Sequence, residues 1–243
     1  MNIIIPMAGL GSRFATAGYT KPKPFIDVLG TPMIVRVLDN LSIEGARFIA
    51  LARAEHLQAE RKTIDHLQKT YQIDFIPIDQ LTEGAACTVL HAHRLIDNND
   101  PLLIANSDQI VVGGIEAYIK DAEARQLDGS IMTFHANATK WSYAKVDEKG
   151  FVIEVKEKVP ISEHATVGLY YFKKGSSFVN AAIDMIVRNE RVNNEFYVCP
   201  VYNKSIMQGE KIGIFKINAS SMFGTGTPED LDIYIKHLQQ EIE

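Results

Sequence analysis

The sequence predicts an α/β fold, a doubly wound, mostly parallel sheet whose second half becomes strand-rich and mixed. Two observations carry this prediction. Through the first half, short β-branched apolar runs alternate with helical patterns in a βαβα rhythm. After Ser130 the rhythm changes to four strand-like segments in succession, two of them joined by the turn Glu148-Lys149-Gly150. A chain of 243 residues with 46% apolar and 23% charged residues suits a single domain spanning 1–243, with a sizeable core.

Ile3–Pro6 reads as a buried strand, and Thr31–Leu41 as a helix with Pro32 at its first position. Arg47–Ala52 is the next strand, followed by a charged amphipathic helix over Ala54–Thr70 and a third strand, Ile73–Ile78. Gly84–Leu95 is a helix opened by small residues, and Leu102–Ala105 a strand ending in Asn106-Ser107-Asp108. Gly113-Gly114 opens a helix over Ile115–Arg125. Strands follow at Ile131–Phe134, Tyr143–Val146, Val152–Lys156 and Thr166–Phe172, and helices at Ser176–Asn189 and Pro200–Gln208. Thr227 reads as an N-cap with Pro228 at the first helical position and Glu229 and Asp230 in the first turn.

A formal charge of −5 argues against general nucleic-acid binding, which calls for a basic stripe, but leaves room for a local cationic pocket. Cys87 and Cys199 match no metal-ligand spacing and read as small residues of a reducing compartment. No basic segment leads into an apolar stretch, and no run approaches the ~18 apolar residues of a membrane span. A soluble, cytoplasmic protein without a membrane partner is expected.

In open α/β sheets ligands bind beyond the carboxyl ends of the strands. Three segments converge there: the loop after Ile5, the Gln80–Ala85 loop, and Asn106–Asp108. The first reads Pro6-Met7-Ala8-Gly9-Leu10-Gly11-Ser12-Arg13-Phe14. Small residues let backbone N–H groups approach phosphate oxygens, and Arg13 close behind can fork onto two of them. The pattern lacks the third glycine of a dinucleotide fingerprint and the Gly-Lys-Ser/Thr of a P-loop. In Lys21-Pro22-Lys23-Pro24, each proline favours extended geometry in the residue before it, so two ammonium groups sit on one stiff segment. A polyanion between them would relieve their repulsion.

These residues, followed by Lys23-Pro24-Phe25 and Gly30-Thr31-Pro32-Met33-Ile34, resemble the signature of the sugar-1-phosphate nucleotidylyltransferases. The register from Pro32-Met33-Ile34 places Lys23, not Lys21, at the signature lysine. The resemblance implies a Rossmann-like, GT-A-like nucleotidyltransferase fold, with a nucleotide-binding half over about 1–130 and an acceptor-binding half over about 131–243. It implies two catalytic cations, Arg13 on the β and γ phosphates and Lys23 at the α phosphate. Met7, Ala8, Gly9, Leu10 and Gly11 would cradle the triphosphate. Gln80, Glu83 and Gly84 fall where the family recognises the base. Asp108 matches a Mg²⁺-binding aspartate. Glu157 and Lys158, within Glu154-Val155-Lys156-Glu157-Lys158, resemble the segment that contacts the acceptor, and Gly168 and Glu195 fall at the same pocket. Trp141 and Tyr143 are further candidates for that pocket, or core residues.

Two departures stand out. Where the family carries Trp-x-Asp-Thr-Gly-Thr, with a second metal-binding aspartate, this chain reads Met222-Phe223-Gly224-Thr225-Gly226-Thr227. Asp230 is the candidate replacement, with service to the helix macrodipole as its competing role. Val159 also replaces the usual proline after Lys158.

The resemblance implies transfer of a nucleotidyl group from a nucleoside triphosphate to a phosphorylated acceptor. A sugar 1-phosphate is the default acceptor, giving a nucleoside-diphosphate sugar and pyrophosphate for surface polysaccharide, lipopolysaccharide or capsule precursors. Glu83 favours CTP, because a carboxylate accepts from an exocyclic amine. Small cytidylyltransferases of similar pattern use phosphocholine or other phosphorylated alcohols, which gives a second reading. A nucleotide-sugar-dependent glycosyltransferase fits less well, since Asn106-Ser107-Asp108-Gln109 is no Asp-x-Asp motif. Gly224 keeps a non-catalytic nucleotide-binding protein in view. Partners beyond these small molecules are not expected, apart from a second copy of the chain.

Overall fold

The structure, a computed structural model, describes residues 1–240. It opens with β1 (Asn2–Met7), α1 (Ser12–Thr16), β2 (Asp27–Val28), β3 (Thr31–Pro32), α2 (Met33–Asn40), β4 (Arg47–Arg53), α3 (Ala54–Ala59), α4 (Arg61–Thr70) and β5 (Ile73–Ile78). Then come α5 (Ala85–Leu90), α6 (His93–Ile96), β6 (Leu102–Ala105), β7 (Gln109–Val111), α7 (Ile115–Ala124), β8 (Gly129–His135), β9 (Ser142–Val146), β10 (Val152–Glu157) and β11 (His164–Phe172). The last are α8 (Gly175–Val187), α9 (Val201–Met207), β12 (Ile212–Lys216), β13 (Met222–Gly224) and α10 (Pro228–Gln240).

The apolar run Ile3-Ile4-Ile5 explains the layering. Successive strand residues face opposite sides, so a strand apolar at every position needs cover on both. Ile3 and Ile5 join one core with α2, α7 and α10 residues such as Val37, Tyr118 and Leu231. Ile4 joins the other, with Val89 of α5 and Phe178 of α8. Leu103 and Ala105 divide from Leu102 and Ile104 along β6 in the same way.

Among the described residues nine strands form one sheet, in which β5, β4, β1 and β6 run parallel. β11 then pairs antiparallel with β6 through Leu169–Phe172, and its far edge pairs with β8. β9 and β10 continue the sheet as a hairpin, and β12 adds parallel to β8. The α/β class with a mixed second half is therefore as the sequence predicts. No helix of the described residues is long and apolar enough to cross a membrane.

Several boundaries differ from expectation. Pro32 precedes α2 with extended backbone (ψ 143°) and pairs with Asp27 across the β2–β3 ribbon, so it caps the helix instead of opening it. The long charged helix breaks at Glu60 into α3 and α4, and the Gly84–Leu95 helix breaks at Ala92 into α5 and α6. Lys23, preceding Pro24, is not extended: it opens a 3₁₀ turn over Lys23–Phe25, in which Phe25 N–H donates to Pro22 O at 2.9 Å. The short strands β7 and β13, and β12, were not foreseen, being too brief or too weakly patterned to signal themselves.

Candidate active site

Two adjoining cavities open beyond the carboxyl ends of β1 and β6. The first, of about 430 Å³, is lined by Met7, Gly9, Gly11, Arg13, Lys23 and Asp108, among others. The second, of about 550 Å³, is lined by Trp141, Ser142, Glu157, Lys158, Gly168, Tyr170 and Asp230, among others. Arg13, Ala85, Asn106, Asp108, Tyr197 and Gly226 line both.

The glycine loop builds the first cavity. Gly11 adopts a left-handed conformation (φ 63°), and a Cβ there would sit 3.2 Å from Lys23 Cβ. Glycine thus lets the loop close onto the segment that carries the lysine. Met7 and Ala8 are buried, whereas Leu10 points to solvent at 60% exposure, so the loop's contribution comes from its glycines. Arg13 is exposed, and its guanidinium makes no ion pair among the described residues, which leaves it free for an anion.

Lys23 and Lys21 part company. The Lys23 ammonium pairs with the Asp108 carboxylate in the first cavity. Lys21 lines a separate surface hollow with Gly18, Tyr19 and Asp27. The expected pair of neighbouring ammonium groups does not form, because the 3₁₀ turn swings Lys23 inward; the register that singles out Lys23 agrees with this geometry.

Asp108 follows β6, and the ribbon of β7 with β13 pins it there. Gly224 pairs with Gln109, and Thr225 N–H donates to Asp108 O at 2.7 Å. On the acceptor side, β11 loses register with β8 between Thr166 and Tyr170, and within this bulge Gly168 has φ 92°. A Cβ on Gly168 would lie 2.0 Å from Gln109 Oε1 and 2.4 Å from Asn106 Nδ2. The two amides, hydrogen-bonded at 3.2 Å, thus fill the space a side chain would take.

Lys158 has a left-handed backbone (φ 59°), uncommon for a lysine and a mark of an over-determined site. Its ammonium donates to the Tyr197 hydroxyl at 2.6 Å, which raises its pKa and keeps it charged. Beside it Glu157 is 7% exposed and accepts from Ser142. Burial pushes the Glu157 carboxyl up, against the lowering effects of Ser142 and Lys158. A folded-state pKa above the unfolded one means that the folded protein holds the extra proton between the two values. Stability therefore falls as pH rises through that window, from the ordinary carboxylate range upward. Glu157→Gln is expected to remove this slope, so that its melting temperature gains on the wild type as pH rises above the ordinary carboxylate range; a constant difference in melting temperature across pH would refute the assignment.

Not every expected residue reaches the cavities. Gln80 and Glu83 are exposed and line neither cavity, and the Glu83 carboxylate pairs with Arg191 at 3.0 Å. Gly84 caps α5 with φ 123° and touches the backbone of Phe196. Glu195 is exposed, at the end of a tight turn in which Asn193 and Asn194 both have positive φ, and acts on Lys158 only as a nearby charge. Tyr143 is core, its hydroxyl donating to Ala138 O at 2.7 Å, while Trp141 lines the second cavity. Asn106, Gln109, Tyr170 and Tyr197 line the cavities without having been singled out as site residues; only their position after a strand, or close in sequence to Gly168 and Glu195, marked them.

Comparison with known proteins finds one family and structures of the same fold. The family profile described as nucleotidyl transferase matches residues 2–211. The crystal structure of the nucleoside-diphosphate-sugar pyrophosphorylase from Vibrio cholerae RC9 superposes with a TM-score of 0.82 at 26% identity, over 96% of this chain and 99% of that one. The bifunctional protein GlmU of Methanocaldococcus jannaschii is 25% identical over 178 residues, 72% of this chain and 40% of that protein. A 2-aminoethylphosphonate cytidylyltransferase of Lancefieldella rimae is 48% identical over 50 residues, 21% of this chain and 20% of the relative. The chain thus spans less than half the length of these curated relatives in each alignment.

Proposed function

The chain belongs to the nucleotidyl transferase family, and from that premise we propose that it transfers a nucleotidyl group from a nucleoside triphosphate to a phosphorylated small-molecule acceptor. Residues 1–243 are read as one nucleotidyltransferase domain, and a sugar 1-phosphate is the first choice of acceptor. The observation that carries this reading is the meeting of the two cavities at Arg13 and Asp108, with Lys23 paired to Asp108. One cavity holds Arg13 beside the Lys23–Asp108 pair; the other mixes Lys158 with Glu157, Ser142 and aromatic walls.

A phosphate oxygen of the acceptor attacks the α-phosphorus, a new P–O bond forms, and the bond to the β-phosphate oxygen breaks, releasing pyrophosphate. The protein's task is positioning and charge neutralisation. Gly9 and Gly11 let the loop backbone approach the phosphates, Arg13 holds the β and γ groups, and Lys23 faces the charge that grows at the α-phosphate. Lys158 orients the attacking phosphate, and Asn106 and Gln109 shape the passage between the cavities. The donor set at Asp108 suits Mg²⁺, a hard cation that accepts a carboxylate together with phosphate oxygens and water. When bound there, Mg²⁺ supplies further neutralisation of the triphosphate.

A second reading, cytidylyl transfer to a phosphorylated amino alcohol or an aminoalkylphosphonate, draws on the 48% identity over 50 residues to the cytidylyltransferase. Pyrophosphate release from CTP, UTP, dTTP, GTP and ATP, each with glucose 1-phosphate, phosphocholine or 2-aminoethylphosphonate, tests both. Release with none of these combinations would argue for a non-catalytic nucleotide binder. Once an acceptor is found, Lys158→Ala is expected to raise its KM about tenfold or more, with a smaller change in the KM for the triphosphate. Equal changes in both would remove Lys158 from the acceptor side.

A further inference from the structure

The segment that crosses Asp108 brings no carboxylate of its own. Gly224 ends β13 opposite Gln109, and Gly226 follows two residues on. A Cβ on Gly226 would lie 3.1 Å from Asp108 Oδ2, and a Cβ on Gly224 would lie 3.8 Å from Asp230 Oδ2. Each glycine is thus covered by an aspartate, one reaching in after β6 and the other from the first turn of α10. Both carboxylates line the second cavity.

Asp230 has little else to do there. Its backbone N–H donates to the Thr227 hydroxyl oxygen at 3.1 Å, but its carboxylate makes no hydrogen bond or ion pair among the described residues. Asp108, by contrast, already faces a cation, the Lys23 ammonium. Two carboxylates around a triphosphate are the oxygen-rich, hard donor set that Mg²⁺ or Mn²⁺ takes.

We infer that Asp108 and Asp230 together hold the divalent cation, with Asp230 supplying from a helix the second carboxylate that Gly224 cannot supply from the strand. The inference rests on the nucleotidyl-transfer reading. Its rival is an Asp230 that only complements the positive end of α10, which would affect stability and not metal binding.

Mn²⁺ titrated into the protein with a non-hydrolysable α,β-methylene triphosphate, read by electron paramagnetic resonance, separates the two. Asp230→Asn is expected to weaken Mn²⁺ binding about tenfold or more, with nucleotide affinity in the absence of metal unchanged. Gly224→Asp introduced into Asp230→Ala is expected to restore most of the Mn²⁺ affinity, since Gly224 has no positive φ and its Cβ meets nothing closer than 3.8 Å. Unchanged Mn²⁺ affinity in Asp230→Asn, with a lowered melting temperature, would overturn the inference in favour of the helix-end role. Nucleotide binding by the wild type without any gain from Mn²⁺ would also overturn it, while leaving the nucleotide site in place. Failure to bind the triphosphate analogue at all would instead overturn the proposed function.

Discussion

Lys23→Ala is expected to lower turnover about 10²–10³-fold, the usual loss when one preorganised group facing transition-state charge is removed. Only 16% of the Lys23 side chain is exposed, and the 3₁₀ turn over Lys23–Phe25 fixes where it emerges. Its ammonium therefore already enters the first cavity, paired with Asp108, before substrate arrives. Because that interaction strengthens in the transition state, kcat should fall more than the KM for the triphosphate rises. Lys21→Ala provides the internal control. Lys21 lies in a different hollow, so its variant should keep turnover close to the wild type. Steady-state pyrophosphate release from the three proteins decides the matter; a Lys23→Ala enzyme with near-normal kcat would remove Lys23 from the reaction.

Gly84→Ala is expected to damage stability and both substrate sites together. At φ 123° and ψ 172° the residue occupies a region that side chains avoid, at a cost on the order of 1–3 kcal/mol. The added Cβ would also lie 2.5 Å from Phe196 O and 2.6 Å from Phe196 N, backbone atoms that cannot rotate away. Those atoms tie the loop before α5 to the 189–197 turn: Phe196 N–H donates to Glu83 O at 2.7 Å and Ala86 N–H to Phe196 O at 3.0 Å. Prising them apart displaces Tyr197, which lines both cavities. A fall in melting temperature of about 5–10 °C, with higher KM values for triphosphate and acceptor alike, is the expected result. An unchanged melting curve with unchanged KM values would contradict it.

What could be read from the sequence follows the range of the signals. The parallel core was legible because Ile3-Ile4-Ile5 and Leu102–Ala105 are apolar at every position, which only a strand covered on both faces requires. Lys23 and Asp108 were legible through register and strand ends. The Lys23–Asp108 pair was not, since it joins residues 85 apart in the chain. Glu83 shows the opposite failure. Its place in the base loop suggested a base contact, but local sequence gives no sign of Arg191, which holds its carboxylate from 108 residues away. The β7–β13 ribbon, three residues on each side, is too short for any periodicity to reveal, yet it holds the segment after Gly224 against Asp108.

The partition between the cavities is incomplete: six residues belong to both. A molecule long enough to fill the two at once would anchor each end at the high effective concentration that the other end imposes. On the nucleotidyl-transfer proposal, the joined product of nucleotide and acceptor would be such a molecule, whereas each substrate alone would grip only its own half. On the same proposal, a nucleotide tethered to an acceptor mimic through a pyrophosphate bridge would be the natural shape for an inhibitor.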